Sequence, residues 1–315
     1  MNKFFVHPAN KTIWNYDELL QFLIQNQGQK IIIEINEGPC CKTIGLYNLL
    51  EKFNYNDVII QTTNLIEQHN KFTIKTVAPL RFLTLDKETD YSKFHTWDQT
   101  HIFGCFYNRP LWYRLGLASV LQHDYADQSV INVRCNPHDF DNRLLFEVQQ
   151  LFENHPQSHL KFATVSNAWP RQLETNDTYG FCTTNEHTDQ LAYFYPGFLI
   201  DIVAETWAHG NCFFPTEKTI RPMLLKKPFI VFGGQDYLEY LRQMGFRTFG
   251  DFWDETYDGY EGADRYIRIL ELIDRLAEKS IDELEIMYWD MQYTLDHNYD
   301  LLVRQQFSKK IQRLE

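Results

Sequence analysis

The sequence predicts an α/β protein built as two lobes. Short β-branched or apolar runs alternate with amphipathic helical stretches. The alternation occurs twice, on either side of a polar, irregular stretch, Asp86–Asp98. With 315 residues the chain is long enough for two domains of about 150 residues. Its 44% hydrophobic and 16% aromatic content supplies a core and excludes a disordered chain.

In the first half, Asn15-x-x-Glu18 reads as a capping box opening the helical run DELLQFLIQN. Ile31–Ile35 is a β-branched run followed by the turn signal Asn36-Glu37-Gly38-Pro39. Ile44, Leu46, Leu49, Leu50 and Phe53 follow at helical spacing, and Val58–Gln61 is the next strand. Strand, helix, strand is the unit of a parallel sheet. In the second half, Ile102–Tyr107 reads as a strand, Leu111–His123 as a helix, Val130–Val133 as a strand and Asp141–Glu153 as a helix. Leu199–Val203, Cys212–Phe214 and Pro228–Phe232 read as strands, with helices over Glu217–Lys227 and Asp236–Met244, the latter stopped by Gly245. Ser280-x-x-Glu283 is a capping box that opens a terminal helix with Leu284, Met287, Met291 and Leu295 on one face, a packing stripe. The expected division is a first α/β lobe over 1–95, a second over 96–280, and a C-terminal helix over 281–315 that packs on them.

Charge narrows the function classes. The net charge of −12 argues against a broad phosphate-binding face. The stretch Asp251–Glu315 holds 16 acids and 8 bases, whereas Glu217–Arg247 is a basic island containing Lys218, Arg221, Lys226, Lys227, Arg242 and Arg247. Asp251–Asp264 reads as a solvated acidic loop or a cleft rim. Six cysteines without a C-x-x-C pair fit reduced thiols in a cytoplasm. The longest apolar stretch, Leu191–Val203, is broken by Pro196, Gly197 and Asp201, so no membrane span is expected. Scattered histidines without an H-E-x-x-H run give no metal site, and no P-loop, G-x-G-x-x-G or G-x-S-x-G is found.

The candidate site residues lie where strands end, since open α/β sheets bind ligands beyond the carboxyl ends of their strands. Glu205 and Thr206 follow the strand Leu199–Val203, while Thr216, Glu217, Lys218 and Thr219 follow the run Cys212–Phe214 and open a helix. The free N–H groups of a helix start favour an anion such as a diphosphate. Lys218 suits a phosphate, and Glu217 and Glu205 suit the hydroxyls of a ribose or sugar. The alternative is that Thr216 is a cap and Glu217 complements the helix dipole. Tyr107-Asn108 close an earlier strand. Arg114, one turn into the next helix, can reach back to a diphosphate with bidentate geometry, or else is a surface arginine. Gly233-Gly234 is a turn or a ligand cradle.

Taken in order, Tyr107-Asn108, Arg114, Glu205-Thr206, Phe214-Pro215-Thr216-Glu217-Lys218 and Pro228-Phe229-Ile230-Val231 resemble the donor-binding lobe of the α-1,3-fucosyltransferases. Gly245-Phe246-Arg247-Thr248-Phe249 and Asp254-Glu255-Thr256-Tyr257-Asp258 resemble runs in sugar-transferase-like proteins of bacterial viruses. The resemblance covers about residues 102–270. It departs where Thr206-Trp207 stands in place of Asn-Ser, which leaves nucleobase and sugar open, and it does not extend to the first lobe, which leaves the acceptor open. It implies a GT-B arrangement, two Rossmann-like lobes facing a cleft, and a viral sugar transferase. A nucleotide-sugar would be the donor, with no metal and no further cofactor, and a glycan or other molecule the acceptor, nucleic acid entering only as acceptor. Arg114 and Lys218 would neutralise the leaving diphosphate, with Asn108, Glu205, Thr206, Thr216, Glu217 and Thr219 around the donor. For an inverting reaction a first-lobe carboxylate must take the acceptor proton, and Glu37 is the candidate. The alternatives are transfer to modified DNA bases and a nucleotide- or sugar-binding protein without catalysis.

Overall fold

The computed structural model describes residues 2–9, 11–35, 37–77, 90–107, 111–133 and 191–303. Within them lie two separate four-stranded sheets, each parallel throughout. The first contains β1 (Asn2–Val6), β4 (Ile31–Ile35), β5 (Val58–Thr62) and β6 (Thr73–Thr76), in the order β1-β4-β5-β6. A short antiparallel ribbon, β2 (Pro8–Ala9) with β3 (Thr12–Ile13), precedes helix α1 (Tyr16–Gln25). Helix α2 (Leu46–Lys52) links β4 to β5. Ile31, Ile33 and Ile35 on alternate positions of β4 pack with Leu19 and Leu23 of α1 and with Leu46, Leu49 and Leu50 of α2. Period two on the strand thus meets the helical stripes, which is what joins the layers. Asn15 does not close a capping box. Its side chain instead receives the His7 amide at 2.9 Å and donates to the Phe5 carbonyl at 2.8 Å, tying the end of β1 to the start of α1.

The second sheet runs β10-β9-β7-β8, from β7 (His101–Tyr107), β8 (Ser129–Val133), β9 (Phe198–Ala204) and β10 (Phe229–Phe232). Helix α3 (Trp112–Asp124) follows β7, α4 (Glu217–Leu224) lies between β9 and β10, and α5 (Tyr237–Gln243) follows β10. Every residue of β9 is buried, as expected of a central parallel strand covered on both faces. Among them is Asp201, whose carboxylate accepts a short hydrogen bond from the Tyr195 hydroxyl; burial pushes its pKa up to about 7. Lys227, between α4 and β10, donates to the carbonyls of Thr96 and Phe198 at 2.7 Å each, and burial draws its pKa down to about 7.

Three further expectations change. Cys212–Phe214 is not a strand; the run is apolar because it is buried where the two lobes meet. The terminal helix is two, α7 (Ile281–Asp290) and α8 (Gln292–Val303), parting at Met291, although the Ser280–Glu283 capping box and the packed Leu284/Met287/Met291/Leu295 face are both present. The acidic stretch Asp251–Asp264 leads into α6 (Gly262–Ala277), where buried Arg265 pairs with Asp258 at 2.7 Å and donates to the Gly234 carbonyl at 2.7 Å. Gly234 also permits a close approach, because a Cβ there would lie 2.1 Å from the Cys212 carbonyl oxygen.

Tyr91 and Phe94 pack with Phe106, Tyr195 and Phe198, so the chain has joined the second lobe's core by residue 91. The helix expected over Asp141–Glu153 lies outside the described residues. Among the described residues no helix is long and apolar enough to cross a membrane.

Candidate functional site

The site grows from the end of β9. Glu205, the next residue, is fully buried, and its carboxylate gathers the start of α4. One oxygen accepts from the Thr216 amide (2.9 Å), the Thr219 hydroxyl (2.5 Å) and the Tyr237 hydroxyl (3.1 Å); the other accepts from the Thr216 hydroxyl (2.6 Å). Thr216 is the helix N-cap, its side chain accepting from the Lys218 amide at 3.3 Å. Glu205, Thr216 and Thr219 therefore form an internal tie between strand and helix. The carboxylate expected at ligand hydroxyls is occupied by four protein donors.

That tie aims two cations at one point. Lys218 Nζ donates to the Thr206 hydroxyl at 3.3 Å, to the Thr216 hydroxyl at 3.2 Å and to the Glu217 carboxylate at 2.7 Å. Arg114, buried in the first turn of α3, donates through Nε to the Ala204 carbonyl (3.1 Å) and through Nη2 to the same Thr206 hydroxyl (3.4 Å). Tyr113 holds the turn beneath them, its hydroxyl donating to the Glu205 carbonyl at 2.6 Å. Burial keeps the Lys218 ammonium below the ordinary lysine range; Glu217 opposes the shift and Arg114 adds to it. Two like charges converge on one hydroxyl at a helix start, where the helix dipole opposes them as well. An anion seated there would relieve all three costs.

Across the seam, Glu37 accepts from the Trp207 indole N–H at 3.1 Å, one residue beyond Thr206. The carboxyl ends of β4 and β5 thus face the segment that follows β9. Further bonds join the Cys212 thiol to the Gly38 carbonyl (2.6 Å), the Phe213 amide to Asn64 Oδ1 (2.9 Å) and the Leu65 amide to the Phe213 carbonyl (3.0 Å). Gly38 is required here, since a Cβ would sit 2.6 Å from the Phe214 side chain. His209, on the same segment, packs edge-on to Tyr113; burial draws its pKa down to about 4 and Lys11 adds to the effect.

The structure thus brings Arg114, Glu205, Thr206, Thr216, Glu217, Lys218 and Thr219 together, while Glu37 reaches from across the seam to Trp207, the residue after Thr206. Asn108 lies outside the described residues, as does Asp139-Phe140-Asp141; that run corrects the reading that the chain has no Asp-x-Asp, which had counted against a metal-dependent sugar transferase. Sequence reasoning also missed Tyr113, Tyr237 and Trp207, which support Glu205, Thr206 and Glu37. As aromatic residues in apolar surroundings they read only as core. The chain matches no family model, and no curated protein matches it.

Proposed function

We propose that the protein is a glycosyltransferase of the two-lobed GT-B kind, moving a sugar from a nucleotide-sugar to an acceptor hydroxyl without a metal. What carries this reading is the meeting of Arg114 and Lys218 on the Thr206 hydroxyl at the first turn of α4. In the reaction the acceptor oxygen bonds to the anomeric carbon, and the bond from that carbon to the diphosphate oxygen breaks. The electron pair leaves on the diphosphate, whose growing charge Arg114 and Lys218 stabilise. The acceptor proton passes to the Glu37 carboxylate. Glu217 binds donor hydroxyls, while Glu205, Thr216 and Thr219 act by holding the helix start in place.

The test is a thermal-shift series with UDP, GDP, CDP, ADP and dTDP, followed by turnover of a labelled sugar from the matching donor. A ligand at 100 times its Kd adds about 2.7 kcal/mol of stability, so one diphosphate in the series is expected to raise the melting temperature, and its sugar conjugate to be consumed. No shift with any of the five would overturn the reading. A shift with neither transfer nor hydrolysis would make the protein a nucleotide binder.

A further inference from the structure

A cavity of about 610 Å³ opens on the flank of the lobe seam. It shares no lining residue with the Arg114–Lys218 centre. One wall comes from the first lobe, with Tyr47 and Glu51 on α2 and Glu67 and His69 beyond β5; the other comes from the second lobe, with Phe213 and Tyr240. Its size falls within the few hundred to about 1,000 Å³ of small-molecule sites.

The chemistry of the first-lobe wall selects the ligand. The His69 ring stacks on Phe72 (centroids 4.7 Å apart) and packs at a tilt against Tyr47 (4.2 Å). Its Nδ1 receives the backbone amides of Lys71 and Phe72 at 3.2 and 3.3 Å, so the neutral ring carries its proton on Nε2. That nitrogen stands 3.9 Å from Glu51 Oε1, beyond a direct hydrogen bond. A donor and an acceptor held this far apart match a group that both accepts and donates, which is a hydroxyl. Two carboxylates, Glu51 and Glu67, against one lysine, Lys42, on the lining disfavour a phosphate; an ammonium only donates and meets the His69 N–H. Glu67 is fixed by the Asn64 amide at 2.8 Å and the Cys41 backbone amide at 3.0 Å. Facing these groups, Tyr240 is half-buried and packs on Phe213 with centroids 5.3 Å apart, an aromatic surface suited to the C–H face of a sugar ring.

We infer that this cavity is a second ligand site, specific for a neutral, hydroxyl-rich saccharide of one or two rings, bound between the His69–Glu51 pair and Tyr240. The inference stands independently of the role assigned to Arg114 and Lys218. Saturation-transfer NMR on the full chain tests it, with lactose, maltose and N,N′-diacetylchitobiose as probes. Transfer to at least one disaccharide is expected. Glu51→Ala, at an exposed position, is expected to weaken it about tenfold, the effect of one lost charged hydrogen bond. Tyr240→Ala is expected to abolish it, and Lys218→Ala to leave it unchanged. The site is refuted if none of the three sugars receives transfer, or if transfer survives both Glu51→Ala and Tyr240→Ala. Loss of the signal in Lys218→Ala would assign it to the other centre and equally overturn a separate site.

Discussion

Replacing Glu205 with alanine strips the start of α4 of its common acceptor. Four donor contacts end on that carboxylate: the Thr216 amide and hydroxyl, the Thr219 hydroxyl and the Tyr237 hydroxyl. They do not all stay unmatched in the variant. The Thr219 and Tyr237 hydroxyls already lie 2.9 Å apart and can bond to each other, and the Thr216 hydroxyl can turn to another acceptor. The Thr216 amide and one of the two paired hydroxyls remain buried without an acceptor. At roughly 1–3 kcal/mol for each such group, the loss is about 4 kcal/mol. For a chain of this size that corresponds to a fall in melting temperature of roughly 6 °C, and differential scanning calorimetry reads it directly. Glu205→Gln keeps a carbonyl oxygen for the Thr216 amide, Thr219 and Tyr237, and turns an amide toward the Thr216 hydroxyl, which can accept from it. About 1–2 kcal/mol is lost there, since a charge-assisted contact becomes neutral. A Glu205→Ala protein melting with the parent would refute the tie between strand and helix. So would a Glu205→Gln variant as unstable as Glu205→Ala.

Lys218→Ala is expected to melt with the parent yet lose about a hundredfold in transfer, the effect of removing one contact to a developing charge; steady-state rates beside a melting curve check both halves. Binding of the diphosphate favours protonated Lys218, so affinity should fall as pH rises through the lowered lysine pKa, and calorimetric titration should find that dependence missing in Lys218→Ala. Glu37→Gln keeps a carbonyl for the Trp207 indole and should bind the diphosphate like the parent, with transfer abolished; a Gln variant that still transfers would remove Glu37 from the chemistry. Asp201 carries a raised pKa in the fold, so from its ordinary 3.8 to about 7 the native state holds more protons than the unfolded one and stability declines with rising pH. Urea unfolding across that window should show the decline in the parent and a flatter profile in Asp201→Asn.

Local chemistry made part of this molecule legible in advance. Ile31–Ile35 is a strand because β-branched residues on alternate positions demand a covered pleat, and the strand has those bounds in the structure. Thr216 before Glu217 announced a helix start, and α4 begins there. The edge strands of the first sheet were not legible. β1 and β6 are partly exposed and mix polar with apolar residues, so no clean period separates them from a loop. Cys212–Phe214 misled for the opposite reason: its apolar character answers to burial between lobes rather than to a pleat. At the site, strand ends pointed to Arg114, Thr206 and Lys218, because position relative to a strand is readable from pattern. That Glu205 turns inward was not readable. Its orientation depends on Tyr237, 32 positions away, a contact that only the tertiary fold creates.

The segment from Thr206 to Pro215 leaves and rejoins the second lobe at one place, because Glu205 binds the Thr216 amide across its neck. In sequence it reads as a short strand, Cys212–Phe214, on a connection of the kind that is lengthened and shortened freely. Its tip, however, is docked in the other lobe through Cys212 and Phe213, and Gly38 and Gly234 leave no room beside it. It works as a mortise joint, and its length is set by the distance it has to bridge. Residues added at the buried Cys212 or Phe213 would part the lobes, and the same strut holds at its two roots the threonines that receive Lys218. A change of length there would therefore misalign the cation centre from a point on the opposite lobe, with every residue of that centre left intact.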